Sequence, residues 1–255
     1  MELAQIERAA ALLAEARYAV ALTGAGLSTP SGIPDFRSGG GLWEGRDPAA
    51  LASLAAFQRD PRPFFRWFGP LLGRLENATA NPAHTALALL EQRGLLRCVI
   101  TQNIDGLHQR AGSREVYELH GHIRSATCTG CERQVPTAPL MRRLTRGSTP
   151  WCGCGSALKP DVVLFDEMLP RGLYWLALRA LEQCDTLIVA GTALEVQPVC
   201  DLPLGPLRRG ARLLIINQSP TYLDAQADVV LRADVAEALP ALARLVGEPR
   251  AAART

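Results

Sequence analysis

Apolar runs recur through this chain with helical stretches between them, and each run stops abruptly at glycine or at small polar side chains. The runs are "YAVALT" (18–23), the stretch at 96–101, "DTLIVAGT" (185–192) and "ARLLIIN" (211–217). A strand that is apolar at nearly every position is buried on both faces, and helices between such strands make the sheet parallel. In a parallel sheet all carboxyl ends lie on one rim, where ligands bind. That rim gathers Gly24-Ala25-Gly26, Gln102-Asn103, Gly191-Thr192 and Asn217. The spacing predicts an α/β fold: a Rossmann-like parallel sheet with helices on both faces.

The periodicity predicts helices over 3–16, from Asn81-Pro82 to Gly94, from about Asp105, over about 171–183 and near 198–209. A last helix opens at Asp234, with Glu237 three residues on completing a capping box. Further strands are expected at Asp161–Phe165 and in "DVVLR". Residues 30–62 read as a long Pro- and Gly-rich loop, and 63–75 as helix in pieces. Residues 121–158 break the α/β rhythm and hold a cysteine cluster.

Of the 255 residues, 48% are hydrophobic and 20% charged, with a net charge of +2. No strong field draws such a chain to nucleic acid or to a membrane surface. The N-terminal stretch is an amphipathic helix without the features of a signal peptide, and no run approaches the length of a membrane span. A cytoplasmic location is expected, and the tail at 250–255 is expected to be disordered. Lys159 is the only lysine.

Several clusters carry possible chemistry, and each has a plainer alternative. "TGAGLS" offers glycines that let backbone approach a pyrophosphate, although a tight turn would read the same way. Asp35, Phe36 and Arg37 sit in a Gly/Pro loop that is either a surface turn or a lid over a ligand. His120 lies between a strand end and Gly121. Beside Gln102, Asn103 and Asp105 it becomes a candidate general base, imidazole being the side chain that titrates nearest neutrality. Cys128, Cys131, Cys152 and Cys154 form two close pairs, either free thiols or a tetrahedral four-thiolate zinc site of structural type. The second pair is one residue short. Cys98, Cys184 and Cys200 lie in apolar stretches and read as core.

Together "GAGLST", "GIPDFRS", "TQNIDGLHQRAGS", "ELHG", "CTGC…CGCG", "LKPDVVLFDE", "GTALEVQP" and "IIN" resemble, in order and spacing, the sirtuins, the NAD-dependent protein lysine deacylases. The likeness runs from about residue 18 to 235. It implies a Rossmann-like NAD-binding domain (1–30, 81–120 and 159–250) and a smaller domain of two inserts, one helical (31–80) and one zinc-binding (121–158). NAD and structural zinc are the implied cofactors, and acyl-lysine side chains of proteins the implied partners.

The likeness also implies roles. Gly24, Ala25, Gly26, Thr29, Asp35, Phe36 and Arg37 would line the NAD pocket. Gln102, Ile104 and Asp105 would hold nicotinamide and its ribose, with Asn103 ordering water and ribose hydroxyls. Gly191, Thr192, Ala193, Asn217, Gln218 and Val235 would meet the adenosine half. Val163 and Phe165 would lie on the strand that pairs with substrate peptide. The acyl oxygen would attack C1′ of the ribose to give an alkylamidate, and His120 would then activate a ribose hydroxyl. Nicotinamide and O-acyl-ADP-ribose would be the products. "GTA" stands where a second hydroxyl is usual, and "FDE" replaces Phe-Gly-Glu, so Asp166 is expected to hold an unusual backbone angle. Phe68 and Leu71 occupy the positions of a Tyr and an Arg that recognise succinyl groups, so neutral acyl groups are expected. The alternatives are ADP-ribosyl transfer to protein and a non-catalytic NAD-sensing module.

Overall fold

The structure is a computed structural model and describes residues 3–36 and 41–247. In chain order the elements are α1 (Leu3–Glu15), β1 (Ala19–Thr23), α2 (Pro48–Ala52), α3 (Leu54–Arg59), α4 (Arg62–Asn77), α5 (Pro82–Gln92), β2 (Cys98–Thr101) and α6 (Leu107–Arg110). Then follow β3 (Val116–Glu118), β4 (Gly121–Cys128), β5 (Gln134–Pro136), α7 (Met141–Leu144), β6 (Leu158–Val162), α8 (Arg171–Gln183), β7 (Thr186–Ala190), α9 (Leu204–Arg208), β8 (Arg212–Ile216), β9 (Val229–Leu231) and α10 (Val235–Leu245).

The main sheet is parallel throughout, in the order β3-β2-β1-β7-β8-β9. This is the doubly wound order, and it reverses between β1 and β7, where such sheets open their ligand crevice. Alternate residues of each strand serve opposite faces. Ala19, Ala21, Ile188, Leu214 and Ile216 pack with α1, α5 and α10, whereas Val20, Leu22, Leu187, Val189, Leu213 and Ile215 pack with α8. Cys98, Cys184 and Cys200 belong to the second core, as expected, and burial pushes the first two thiols up to about 12.

A small antiparallel sheet, β5-β4-β6, stands apart from the parallel one. The strand expected at 161–165 lies three residues earlier and joins this small sheet, because β4 offers its edge there. Leu158–Val162 therefore goes with the cysteine-bearing insert, and Val163 and Phe165 lie beyond the end of β6. The stretch at 30–62 is not structureless. It contains α2 and α3, capped by Asp47 and Ser53. The helix expected in pieces is one helix, α4, which runs through Pro70.

Near 198–209 a 3-10 turn (Val199–Asp201) precedes the short α9. Asp234 caps α10 by accepting from the Ala236 amide, and the reciprocal bond from Glu237 is not formed. A full capping box occurs instead at Asn81, with His84 as the returning side chain.

The two inserts share one apolar core. Phe57, Phe64, Phe65, Phe68, Leu71 and Leu72 meet Ile123, Leu144, Val162 and Leu164. Gly69 makes this possible: a Cβ there would stand 2.6 Å from the Leu144 carbonyl oxygen. No helix among the described residues is long and apolar enough to cross a membrane. The tail at 250–255 lies outside the described residues.

Candidate functional site

The tips of β1, β2 and β7 are knitted together by their own backbone. Gly24 N donates to Ala190 O at 3.2 Å, Gly26 N to Gly191 O at 2.8 Å and Gln102 N to Thr23 O at 3.0 Å. Glycine is required for this approach. A Cβ on Gly24 would lie 2.6 Å from the Thr192 Cβ, and one on Gly191, at φ +64°, 2.2 Å from Leu27 N.

Within this frame the side chains after β2 turn toward different partners. Gln102 Nε2 donates to Thr192 Oγ1 at 3.0 Å. Asn103 Nδ2 donates to Gly24 O at 3.0 Å and to Ser28 Oγ at 3.1 Å. Ser28 Oγ donates to Asp105 Oδ2 at 2.7 Å, and Asp105 Oδ1 accepts from Leu107 N at 2.8 Å. Asn103, Asp105 and Ser28 are all buried. Burial raises the Asp105 carboxyl above its ordinary value, and the Leu107 and Ser28 donors partly offset this. A buried carboxylate holding only two donors has acceptor capacity left for a ligand N–H.

His120 reaches the rim through a turn that only glycine permits. Gly121 has φ +79°, and a Cβ there would stand 2.0 Å from Asp161 O. The imidazole Nδ1 lies 3.0 Å from Gln102 O. A carbonyl oxygen only accepts, so Nδ1 carries the hydrogen and Nε2 keeps its lone pair. Burial pulls the His120 pKa below 6.5, with the Gln102 carbonyl pulling weakly back, so the ring is neutral at pH 7. A neutral ring whose Nε2 keeps its lone pair can accept a proton, the form a general base requires.

Five side chains behind the rim were not singled out from sequence. Ser28 joins Asn103 to Asp105. Thr23 Oγ1 donates to Thr101 Oγ1 at 2.8 Å and lies 2.9 Å from His108 Nε2. The His84 and His108 rings stack edge to face at 4.9 Å, and burial lowers both pKa values, that of His84 to about 4. The available signal was slight: two threonines that close apolar runs, and a serine inside "TGAGLS".

The remaining candidates are spread wider. Thr29 is exposed and donates to Gly26 O at 3.0 Å. Ala25, Asp35, Ile104 and Ala193 are half-buried. Phe36 stacks on Trp43 at 5.7 Å, and Trp43 meets Phe165 at 6.0 Å. Arg37 lies outside the described residues. Asn217 turns its amide to Ser219 O at 2.8 Å, Gln218 is exposed, and Val235 is buried in the first turn of α10. Phe68 and Leu71 are sealed in the insert core. Asp166 adopts φ +68°, the left-handed angle expected of it.

The four insert cysteines converge despite the short second pair. Their sulfurs all lie within 4.8 Å of one another, with Cys128 to Cys154 at 3.3 Å and Cys131 to Cys152 at 3.7 Å. Four sulfurs about 2.3 Å from one tetrahedral zinc stand about 3.8 Å apart, so the set fits the ion. Gly155, at φ +90°, turns the chain directly after Cys154. Four thiolates leave no open coordination position, so the site is structural.

The model of the Sir2 family matches residues 24–198. The chain is similar to NAD-dependent protein deacylase 1 of Archaeoglobus fulgidus, at 45% identity over 92% of this chain and 95% of the relative. It is also similar to the structure of a Sir2 homologue–NAD complex, with 42% identity, a TM-score of 0.85 and coverage of 94% and 93%. A Sir2 structure holding a deacetylated peptide and 3′-O-acetyl-ADP-ribose superposes with a TM-score of 0.88 at 37% identity, covering 95% of this chain and 97% of the other.

Proposed function

The chain belongs to the Sir2 family, and from that premise we infer that it is an NAD-dependent protein lysine deacylase that passes the acyl group to ADP-ribose and releases nicotinamide. One observation carries the assignment of roles. The Gln102 peptide holds the His120 ring through its carbonyl and opens the run of polar side chains ending at Asp105.

Bound NAD supplies an electrophilic ribose carbon joined by a weak bond to nicotinamide. Gly24, Ala25 and Gly26 let backbone approach its phosphates. Asp105, buried and with spare acceptor capacity, takes the carboxamide N–H, with Gln102 and Ile104 flanking it. Asn103 orders water and ribose hydroxyls. Gly191, Thr192, Ala193, Asn217, Gln218 and Val235 form the adenosine side, and Thr29, Asp35, Phe36 and Arg37 the covering loop. His120 Nε2 accepts a proton from a ribose hydroxyl, a contribution of about 10²–10⁴ in rate.

The acyl-lysine of a protein substrate enters along Val163 and Phe165. Phe68 and Leu71, buried in the insert core behind the acyl site, supply no charged partner there, so it takes neutral acyl groups, since a buried carboxylate would be left unpaired. Cys128, Cys131, Cys152 and Cys154 hold zinc, which closes the insert. A reducing cytoplasm suits four thiolates kept as ligands.

Incubation with NAD and a panel of acyl-lysine peptides tests this reading. Nicotinamide release should depend on the acyl peptide, with free O-acyl-ADP-ribose found by mass spectrometry. ADP-ribose attached to protein, with no free acyl product, would contradict it.

A further inference from the structure

Residues 163–167 are fastened from three directions. Val163 N donates to His120 O at 2.8 Å. Phe165 N donates to Ala52 O at 2.9 Å, and Leu54 N donates back to Phe165 O at 2.9 Å. Leu164 N donates to Glu167 Oε2 at 2.7 Å, and Glu167 N donates to Leu164 O at 3.1 Å across the left-handed Asp166. One short segment thus touches the base, the helical insert and the small sheet.

The third fastening runs through an ion pair. Lys159 Nζ lies 3.1 Å from Glu167 Oε2, and also donates to Val162 O at 2.9 Å and Pro160 O at 3.2 Å. An ammonium has three N–H donors, and here all three are taken. The two side chains are only 14% and 20% exposed, so the pair is shielded in a way that surface pairs are not. Lys159 is the single lysine in a chain with 27 lysines and arginines, and it stands where three acceptors converge on one point.

We infer that Lys159 and Glu167 are positioning residues for the protein substrate. They hold 163–166 in the shape on which an extended acyl-lysine segment docks, and keep that segment registered against His120. This rests on reading 163–165 as the docking segment. Their removal should weaken the use of peptide and leave the use of NAD intact, because none of these contacts reaches the rim at 24–28.

Steady-state kinetics of Lys159→Met, Glu167→Gln and Lys159→Arg tests the inference. For the first two, peptide KM should rise about tenfold or more while NAD KM stays within about twofold, and Lys159→Arg should recover most of the loss. An unchanged peptide KM, or equal rises for both substrates, overturns it. Should Lys159→Met fail to fold, the near-isosteric Glu167→Gln carries the test, with its melting temperature compared with wild type. A wild-type protein that releases no nicotinamide with any acyl peptide sinks the reading of the site and this inference with it. Active wild type with indistinguishable variants sinks this inference alone.

Discussion

The rim of the parallel sheet and the cysteine knuckle of the insert are built by opposite means. At the rim, buried side chains satisfy one another: Asn103, Ser28 and Asp105 are linked at 3.1 and 2.7 Å. At the knuckle, Cys131 and Cys154 are exposed and the four sulfurs crowd within 4.8 Å of one another, over a small apolar cluster of Ala126, Cys128 and Leu158 with Val135 and Leu140 against it. The rim is preorganised by the core beneath it, whereas the knuckle depends on what its sulfurs bind. Damage at the rim should therefore cost chemistry and spare the fold. Damage at the knuckle should cost the fold of the insert and, through the shared core, the activity as well.

The largest expected effect is loss of the metal. Structural zinc contributes on the order of 10 kcal/mol or more in small zinc domains. Strong chelation, or Cys128→Ser, should unfold the small sheet and abolish turnover, while the parallel sheet keeps its far-UV signal. One zinc per chain by elemental analysis is expected, and an unmoved melting curve after chelation would erase the contrast.

His120→Ala comes next. Turnover should fall about 10²–10⁴-fold, roughly 3–5 kcal/mol, with NAD affinity and melting temperature almost unchanged. A parallel loss of NAD binding would make His120 part of the frame and not a separate base.

The buried histidines give a pH signature to the region under the rim. The His84 pKa is about 4 in the folded chain against 6.5 for the free side chain, so the unfolded chain binds more protons between those values. The stabilisation is complete above pH 6.5 and is lost as pH falls toward 4, by up to about 3 kcal/mol. Denaturant midpoints measured across that window should drop in wild type and drop less in His84→Gln. Equal slopes would show that His84 is protonated without cost.

The substrate side should respond more mildly. A succinyl peptide should be used at least about tenfold less well than the acetyl peptide, as expected for a carboxylate left without a partner. Asp166 adds a charge beside the proposed docking segment, so Asp166→Gly should bind acidic peptides a few-fold more tightly at low salt, with the gain screened away at high salt. Equal affinities at low salt would remove Asp166 from the groove.

Much of this was legible locally, and the contrast explains which parts were not. The strands at 19–23, 98–101, 186–190 and 212–216 are apolar but for terminal Thr23, Thr101, Thr186 and Arg212, and could be placed from their apolar runs alone. Asn81-Pro82 and the four cysteines carry short-range signals. The two short helices α2 and α3 did not show, because five or six residues are too few to establish a period. β6 was misassigned because its partner, β4, lies some 30 residues away and nothing in "LKPDVVLF" specifies an antiparallel edge. Ser28, His84 and His108 were missed for a related reason: their burial and mutual contacts come from α5, β2 and α6 closing on the rim.

The most direct test separates the two halves of the rim. His120→Ala, supplied with NAD, an acetyl-lysine peptide and labelled nicotinamide, should still exchange label into NAD, because the 102–105 side chains proposed to hold nicotinamide are intact. It should form almost no deacetylated peptide. Exchange and deacetylation failing together, or deacetylation persisting, would contradict the division of labour between that pocket and the imidazole.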